Sequence, residues 1–315
     1  MTLLRRPAAT SLVSSLRLLP PAGLALTLSA CSAPYFGGQG GDDRTVADAS
    51  KTADATAAAS DDGSRTTAEA TSTDAGADVA SPAEPTTSEP LEPLTLPIAG
   101  TSVTLEMRPI AGPDGPFYAA TTEATWDLYD AFIFNLDTDA GESTPESDAV
   151  TRPSKPYVLA DRGYGHADFA ALSISPAAAE QFVEWLSIKT GRTFRIPTVA
   201  ELEHLLTTSG VAADARLDHG WFEENADYST HEVATKTVDA NGLYDVWGNV
   251  SEYAKTPDGT YIVLGGSFID PVADVSLDWR HEFTPDWNAD DPQVPKSKWW
   301  LASNDWVGLR LVSDP

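Results

Sequence analysis

The chain has a single cysteine, Cys31, in 315 residues, and only 20 Lys and Arg against 47 Asp and Glu. One thiol can form neither an intrachain disulfide nor a thiolate metal cluster, so any folded part must be held together by packing. The shortage of positive charge, a formal net of -27, makes nucleic acid and anionic lipid headgroups poor partners. Aromatic side chains are missing from residues 37 to 96, which are mostly Ala, Ser, Thr, Asp, Glu, Gly and Pro, and such a stretch cannot bury a core. No phosphate loop, nucleophile elbow or zinc spacing occurs, so nothing supports nucleotide-dependent or hydrolase chemistry. No repeat period is evident.

What is present begins with Arg5, Arg6 and Arg17, followed by the apolar run Leu18 to Leu28, which contains Pro20 and Pro21 and no acidic residue. The run falls short of the ~20 residues of a membrane helix, so residues 1–30 read as an export signal. It ends in Leu28-Ser29-Ala30-Cys31, which resembles the lipobox of bacterial lipoproteins, where the thiol is diacylated and becomes the new N-terminus. Lipidation of Cys31 would anchor the protein to the bacterial cell envelope, on its periplasmic or cell-surface face. Residues 31–95 then form a disordered tether, with 12 carboxylates against Arg44, Lys51 and Arg65 between Ser32 and Pro93. Such a chain repels itself and has a root-mean-square span of roughly 45 Å, enough to hold a domain clear of a lipid surface. Loss of three arginines with the signal leaves 17 basic against 47 acidic residues, a net of -30.

All nine tryptophans lie at or beyond Trp126, which places one domain in residues 96–315. The stretch opened by Thr121-Thr122-Glu123 carries Leu128, Tyr129, Phe132 and Ile133 at helical spacing. A second helix is predicted from Ser175 and Pro176 to Gly191, presenting Phe182, Trp185 and Leu186. After an extended run from Thr193 to Ile196, Thr198-Val199-Ala200-Glu201 is a capping box for a third helix that Gly210 would end. Strand-like runs at Tyr261 to Leu264 and Val307 to Val312 complete an α+β domain with much irregular structure.

Five segments, in this order, carry a resemblance: TEATWDLYDAF (Thr122 to Phe132), AAAEQFVEWLSIKTGRTFRIPTVAELE (Ala177 to Glu203), ANGLYDVWGNVSEY (Ala240 to Tyr253), LGGSF (Leu264 to Phe268) and VGLRLV (Val307 to Val312). The domain resembles the formylglycine-generating enzyme, or sulfatase-modifying factor, family, whose fold is a variant of the C-type lectin type. Active members bind copper(I) through two cysteines shortly after the GGS turn, and together these activate oxygen. Asp270 and Val275 stand in those places here, so no copper is expected and oxidation of a sulfatase cysteine is not. Ser267 matches the family's active-site serine, but with no thiolates beside it the expected role is in the turn. The resemblance also implies a structural Ca2+ held by the side chains of Asp245 and Glu252 and the carbonyls of Gly248 and Val250, a donor set of hard oxygens adequate for that ion.

None of the five histidines is spaced as a metal pair, and the HxxxHxE run of iron-dependent relatives is absent. Ser267, Asp270, Arg280 and His281 are cleft candidates for acid-base work, with a hydrogen-bonded structural cluster as the bland reading. Trp279, Trp287, Trp299, Trp300 and Trp306 offer an aromatic wall for a sugar or peptide, against a default of core packing. The resemblance therefore implies a non-oxidising binding or scaffold module at the envelope, with an envelope protein, a peptide or a glycan as partner. The alternative is a periplasmic tailoring or oxidase-type enzyme that does not use the cysteine pair, since some cysteine-free relatives act in maturation of secreted metabolites such as pyoverdine.

Overall fold

A computed structural model describes residues 91–139 and 141–315. The export signal, Cys31 and nearly all of the tether lie outside the described residues.

Leu94–Pro97 is a strand, β1, paired antiparallel with β2 (Thr104–Gly112). β2 turns back into β3 (Gly115–Ala120), with Met107 opposite Ala120 and Gly112 opposite Gly115. Helix α1 follows at Trp126–Ile133, and the short helices α2 (Leu136–Asp139) and α3 (Pro145–Ala149) come next. Thr121 to Glu123 lie outside α1, whose N-cap is Thr125, because Glu123 turns its side chain into the core.

Helix α4 (Pro176–Thr190) matches its sequence signals at both ends. Ser175 Oγ accepts from the Ala178 N–H, Pro176 occupies the first turn, and Gly191 ends the helix in the left-handed conformation at φ 69°. It buries Phe182, Trp185 and Leu186. After β4 (Phe194–Arg195), helix α5 (Val199–Thr208) carries the complete capping box between Thr198 and Glu201. Arg195 clamps the same Glu201 carboxylate bidentately at 2.6 and 2.7 Å, fixing β4 to the helix start. The single-turn α6 (Arg216–His219) leads into irregular chain up to β5 (Ser251–Lys255) and β6 (Tyr261–Leu264). The last strands are the two-residue β7 (His281–Glu282), β8 (Val307–Gly308) and β9 (Val312–Ser313).

Among the described residues nine strands form two sheets, in the orders β1-β2-β3-β9-β4 and β7-β6-β5-β8. The run Val307 to Val312 is therefore two strands in different sheets, joined by the buried Leu309, Arg310 and Leu311. The larger core packs α1 and α4 around Trp126, Tyr129, Phe132, Phe182 and Trp185; a second gathers α5 with Phe222, Trp247 and Leu264. The second sheet separates them, sending Tyr253 and Val263 into the first core and Ala254, Ile262 and Leu264 into the second. Mixed sheets, few helices and long irregular connections make the domain α+β. No helix among the described residues is long and apolar enough to cross a membrane.

Candidate functional site

The GGS turn follows β6, with Gly265 at φ 92° and Gly266 at φ 73°. A Cβ on Gly266 would lie 2.6 Å from Val275 Cγ2, so only glycine lets the turn close on that side chain. Ser267 is fully buried, and both its N–H and its hydroxyl donate to Asp270 Oδ2, at 2.8 and 2.6 Å. These two residues thus close a turn on themselves. Burial pushes the Asp270 carboxyl up from its ordinary value, against the lowering by the Ser267 bonds, and His281 is near enough for its charge to be felt. Arg280 is not brought in: it pairs with Glu203 on α5 at 3.1 Å and donates to the Leu277 carbonyl. Val275 sits in the second core, where an isopropyl group offers no donor to a metal. The residues that the resemblance sets at copper positions, a carboxylate already bonded to Ser267 and a valine, do not fit copper(I).

Asp245, in the loop before β5, and Glu252, on β5 itself, lie close enough for their charges to interact, and they are joined by two residues that sequence reading named only as members of motifs. Arg310, fully buried, donates to both oxygens of Glu252 at 2.7 to 3.1 Å and to the carbonyls of Ala120 and Tyr244. Glu123, also buried, accepts from Asn249 Nδ2 at 3.1 Å. Asp245 Oδ2 accepts from the Ala234 N–H, while Asp245 Oδ1 and Glu123 Oε2 have no hydrogen-bond partner. Three buried carboxylates thus share one guanidinium. Burial, then the charge of Asp245, drives Glu123 well above the usual carboxylate range, with Arg310 opposing; burial pushes Asp245 up to about 6. Glu252 is raised by burial against the pull of Arg310. The free Asp245 oxygen, and the burial that raises these carboxyls and that a cation would offset, fit a hard divalent cation, with Glu252 shared between the ion and Arg310. Among the described residues no three His, Cys, Asp or Glu side chains are grouped to hold a metal by themselves, so backbone carbonyls such as those of Gly248 and Val250 would have to complete the set.

The tryptophan wall is part surface and part core. Trp300 is buried in the first core, its Nε1 donating to the Ser154 carbonyl at 2.6 Å. The others remain half-buried, and three join one row with His281 and Phe283. Ring centroids run from Trp279 to His281 (4.8 Å), His281 to Trp306 (5.5 Å), Trp306 to Trp287 (5.2 Å) and Trp287 to Phe283 (5.5 Å), all edge to face. Strand register creates the row's base: β7 places His281 opposite Val263, and the Phe283 N–H donates to the Tyr261 carbonyl at 3.0 Å. Beyond Phe283 opens a cavity of about 520 Å³, with Tyr261, Phe283, Pro285 and Pro176 among its walls. An apolar cavity of that size with a few polar groups at its mouth has the character of a ligand site.

No family model matches the chain, and no curated protein matches it. Similar solved structures include Treponema denticola variable protein 1, 18% identical over 71% of this chain and 99% of that one, with a TM-score of 0.48. PvdO from Pseudomonas aeruginosa is 14% identical over 71% of this chain and 100% of its own, at 0.46. CarF is 18% identical over 64% of this chain and 87% of its own, at 0.43. These values concern the fold alone and carry nothing about function.

Proposed function

We propose that this protein is a ligand-recognition module with the formylglycine-generating-enzyme variant of the C-type lectin fold, displayed on a lipid anchor at Cys31 and devoid of oxidase chemistry. Its ligand is a peptide or glycan of the envelope, and a structural Ca2+ at Asp245 and Glu252 steadies the loop before β5. The observation that carries the reading is the row Trp279-His281-Trp306-Trp287-Phe283, left half open to solvent and ending at an apolar cavity. Aromatic faces left partly open to solvent, even where the ring's other side packs on the core, are groups that stack on sugar rings and on peptide side chains. A tailoring enzyme would instead need its acid-base groups to converge on a free reacting atom; Ser267 is bonded to Asp270, and Arg280 stands apart, paired with Glu203.

The test is a glycan and peptide array probed with the native protein and with Phe283→Ala and Trp287→Ala, whose folding is checked by thermal melts. Selective binding lost in both variants is the expected result. Binding unchanged in both, or turnover that depends on Asp270, overturns it.

A further inference from the structure

The cavity at the end of the aromatic row is charged against the grain of the molecule. Lys296 and Lys298 are the charged residues among its eleven lining residues, and no carboxylate lines it. By contrast, the cavity beside β2 is lined by Glu106, Glu123, Asp127 and Asp168, and the one at α5 balances Asp114 and Glu180 against Arg195 and Lys255. Neither Lys296 nor Lys298 belongs to an ion pair among the described residues. Lys296 Nζ donates to the carbonyls of Asn288 and Ala289, and Lys298 Nζ lies 4.2 Å over the Trp299 ring. A π face holds the Lys298 ammonium without cancelling its charge, whereas Lys296 is also within the field of the Asp291 carboxylate, which accepts from Asn288 Nδ2 and the Ser297 N–H at the cavity wall. Between the two lysines, Ser297 adds a hydroxyl that accepts from the Trp299 N–H, and Tyr261, Phe283 and Pro285 are among the other walls.

We propose that this cavity captures the C-terminus of a peptide, its terminal carboxylate meeting Lys296 and Lys298 and its last, apolar side chain lying between Tyr261, Phe283 and Pro285. The inference rests on the reading of the aromatic row as a recognition surface and narrows it to one ligand class. The chemistry selects among the alternatives. An uncharged glycan gives the two ammonium groups nothing to neutralise, and an amine would be repelled by them. A carboxylate gains charge-assisted hydrogen bonds on a largely apolar floor, where they are stronger than in water. Phe283 lines the cavity and its ring meets Trp287 at 5.5 Å, so a ligand that enters by its end can continue along the row, as a chain does. The surrounding acidic field favours peptides whose upstream residues are basic or neutral.

The probe is acetyl-Lys-Ala-Phe as the free acid and as its C-terminal amide, titrated calorimetrically into the full-length protein. The free acid is expected to bind about tenfold more tightly than the amide, and the gap should shrink as salt is raised. Lys298→Met, which breaks no hydrogen bond of the fold, should bring the acid down to the level of the amide and leave the amide unchanged; Lys296→Met serves as the second variant. Equal binding of acid and amide, lost in Phe283→Ala, overturns the carboxylate site but leaves the recognition surface standing. Failure of both peptides alongside glycan binding that needs Trp287 does the same. No binding of peptide or glycan by well-folded protein overturns both.

Discussion

Replacing Arg310 with Met would leave Glu123, Asp245 and Glu252 buried around a neutral side chain. Removing one partner of a buried ion pair typically costs about 3–5 kcal/mol, so Arg310→Met should lose stability on that scale in urea unfolding, and a loss below about 1 kcal/mol would contradict the assigned role. His166 is a second residue whose neighbours decide its behaviour. Its Nε2 lies 2.7 Å from Asp130 Oδ2 and its Nδ1 2.9 Å from Asp161 Oδ2, while its ring stacks on Trp126. Burial alone would lower its pKa, but the hydrogen bonds to Asp130 and Asp161 prevail and raise it above the ordinary 6.5. Asp130 is itself raised, by burial, despite its bond to His166 and with Asp127 adding to the rise, so the two partners shift in the same direction. The geometry of the clamp makes the histidine shift the one to follow. A raised histidine contributes stability that is complete below about pH 6.5 and is lost as pH climbs through its folded-state pKa. The loop holding Arg162 and Tyr164 should therefore become more open to trypsin at Arg162 as the solution passes from pH 6 to 9, and His166→Gln should flatten that dependence. Neither residue could be singled out from sequence. Arg310 reads as one charge in an apolar strand, and Asp130, Asp161 and His166 are brought together only by the fold.

At the scale of elements, the signals that proved readable are those in which neighbouring residues satisfy each other's backbone. Ser175 with Pro176, Gly191, and the Thr198–Glu201 box give α4 and α5 their observed ends because capping is local chemistry. Thr198→Ala should cost about 1 kcal/mol in thermal or urea unfolding by the loss of the cap, and an unchanged midpoint would show the Arg195 clamp to be sufficient. Strands were harder to read. β2 contains Pro109, which suggests a break, yet β1 covers only Thr104 to Met107, so Pro109 lies where one edge of β2 is unpaired and no donor is missed. β5 lay hidden in the segment taken as an ion loop, and Val307 to Val312 gave no sign that Arg310 divides it between two sheets. At the GGS turn, Gly266→Ala adds a methyl against Val275 at positive φ and should cost about 1–3 kcal/mol, whereas a loss of only a few tenths would mean that the turn is not fixed by Val275.

For the whole molecule, the division of labour is between a core that consumes Trp126, Trp185 and Trp300 and a face that leaves Trp279, Trp287 and Trp306 partly open. Composition located the aromatics in this domain, but which of them are spare depends on the pairing of β6 with β7 and on the position of the last loop, information that no local pattern holds. The cluster around Asp245 adds a bulk consequence: calcium should raise the melting temperature and a chelator should lower it, with Asp245→Asn insensitive to both, and identical melts under all conditions would remove the ion from the account. The central claim, that the row of aromatics is a recognition surface, is tested most directly by following the indole N–H signals of 15N-labelled protein during titration with a ligand selected from the array. The account predicts that the signals of Trp279, Trp287 and Trp306 move with ligand while those of Trp126 and Trp185 stay fixed. Shifts confined to other tryptophans, or a ligand bound with the three indoles unmoved, would contradict it.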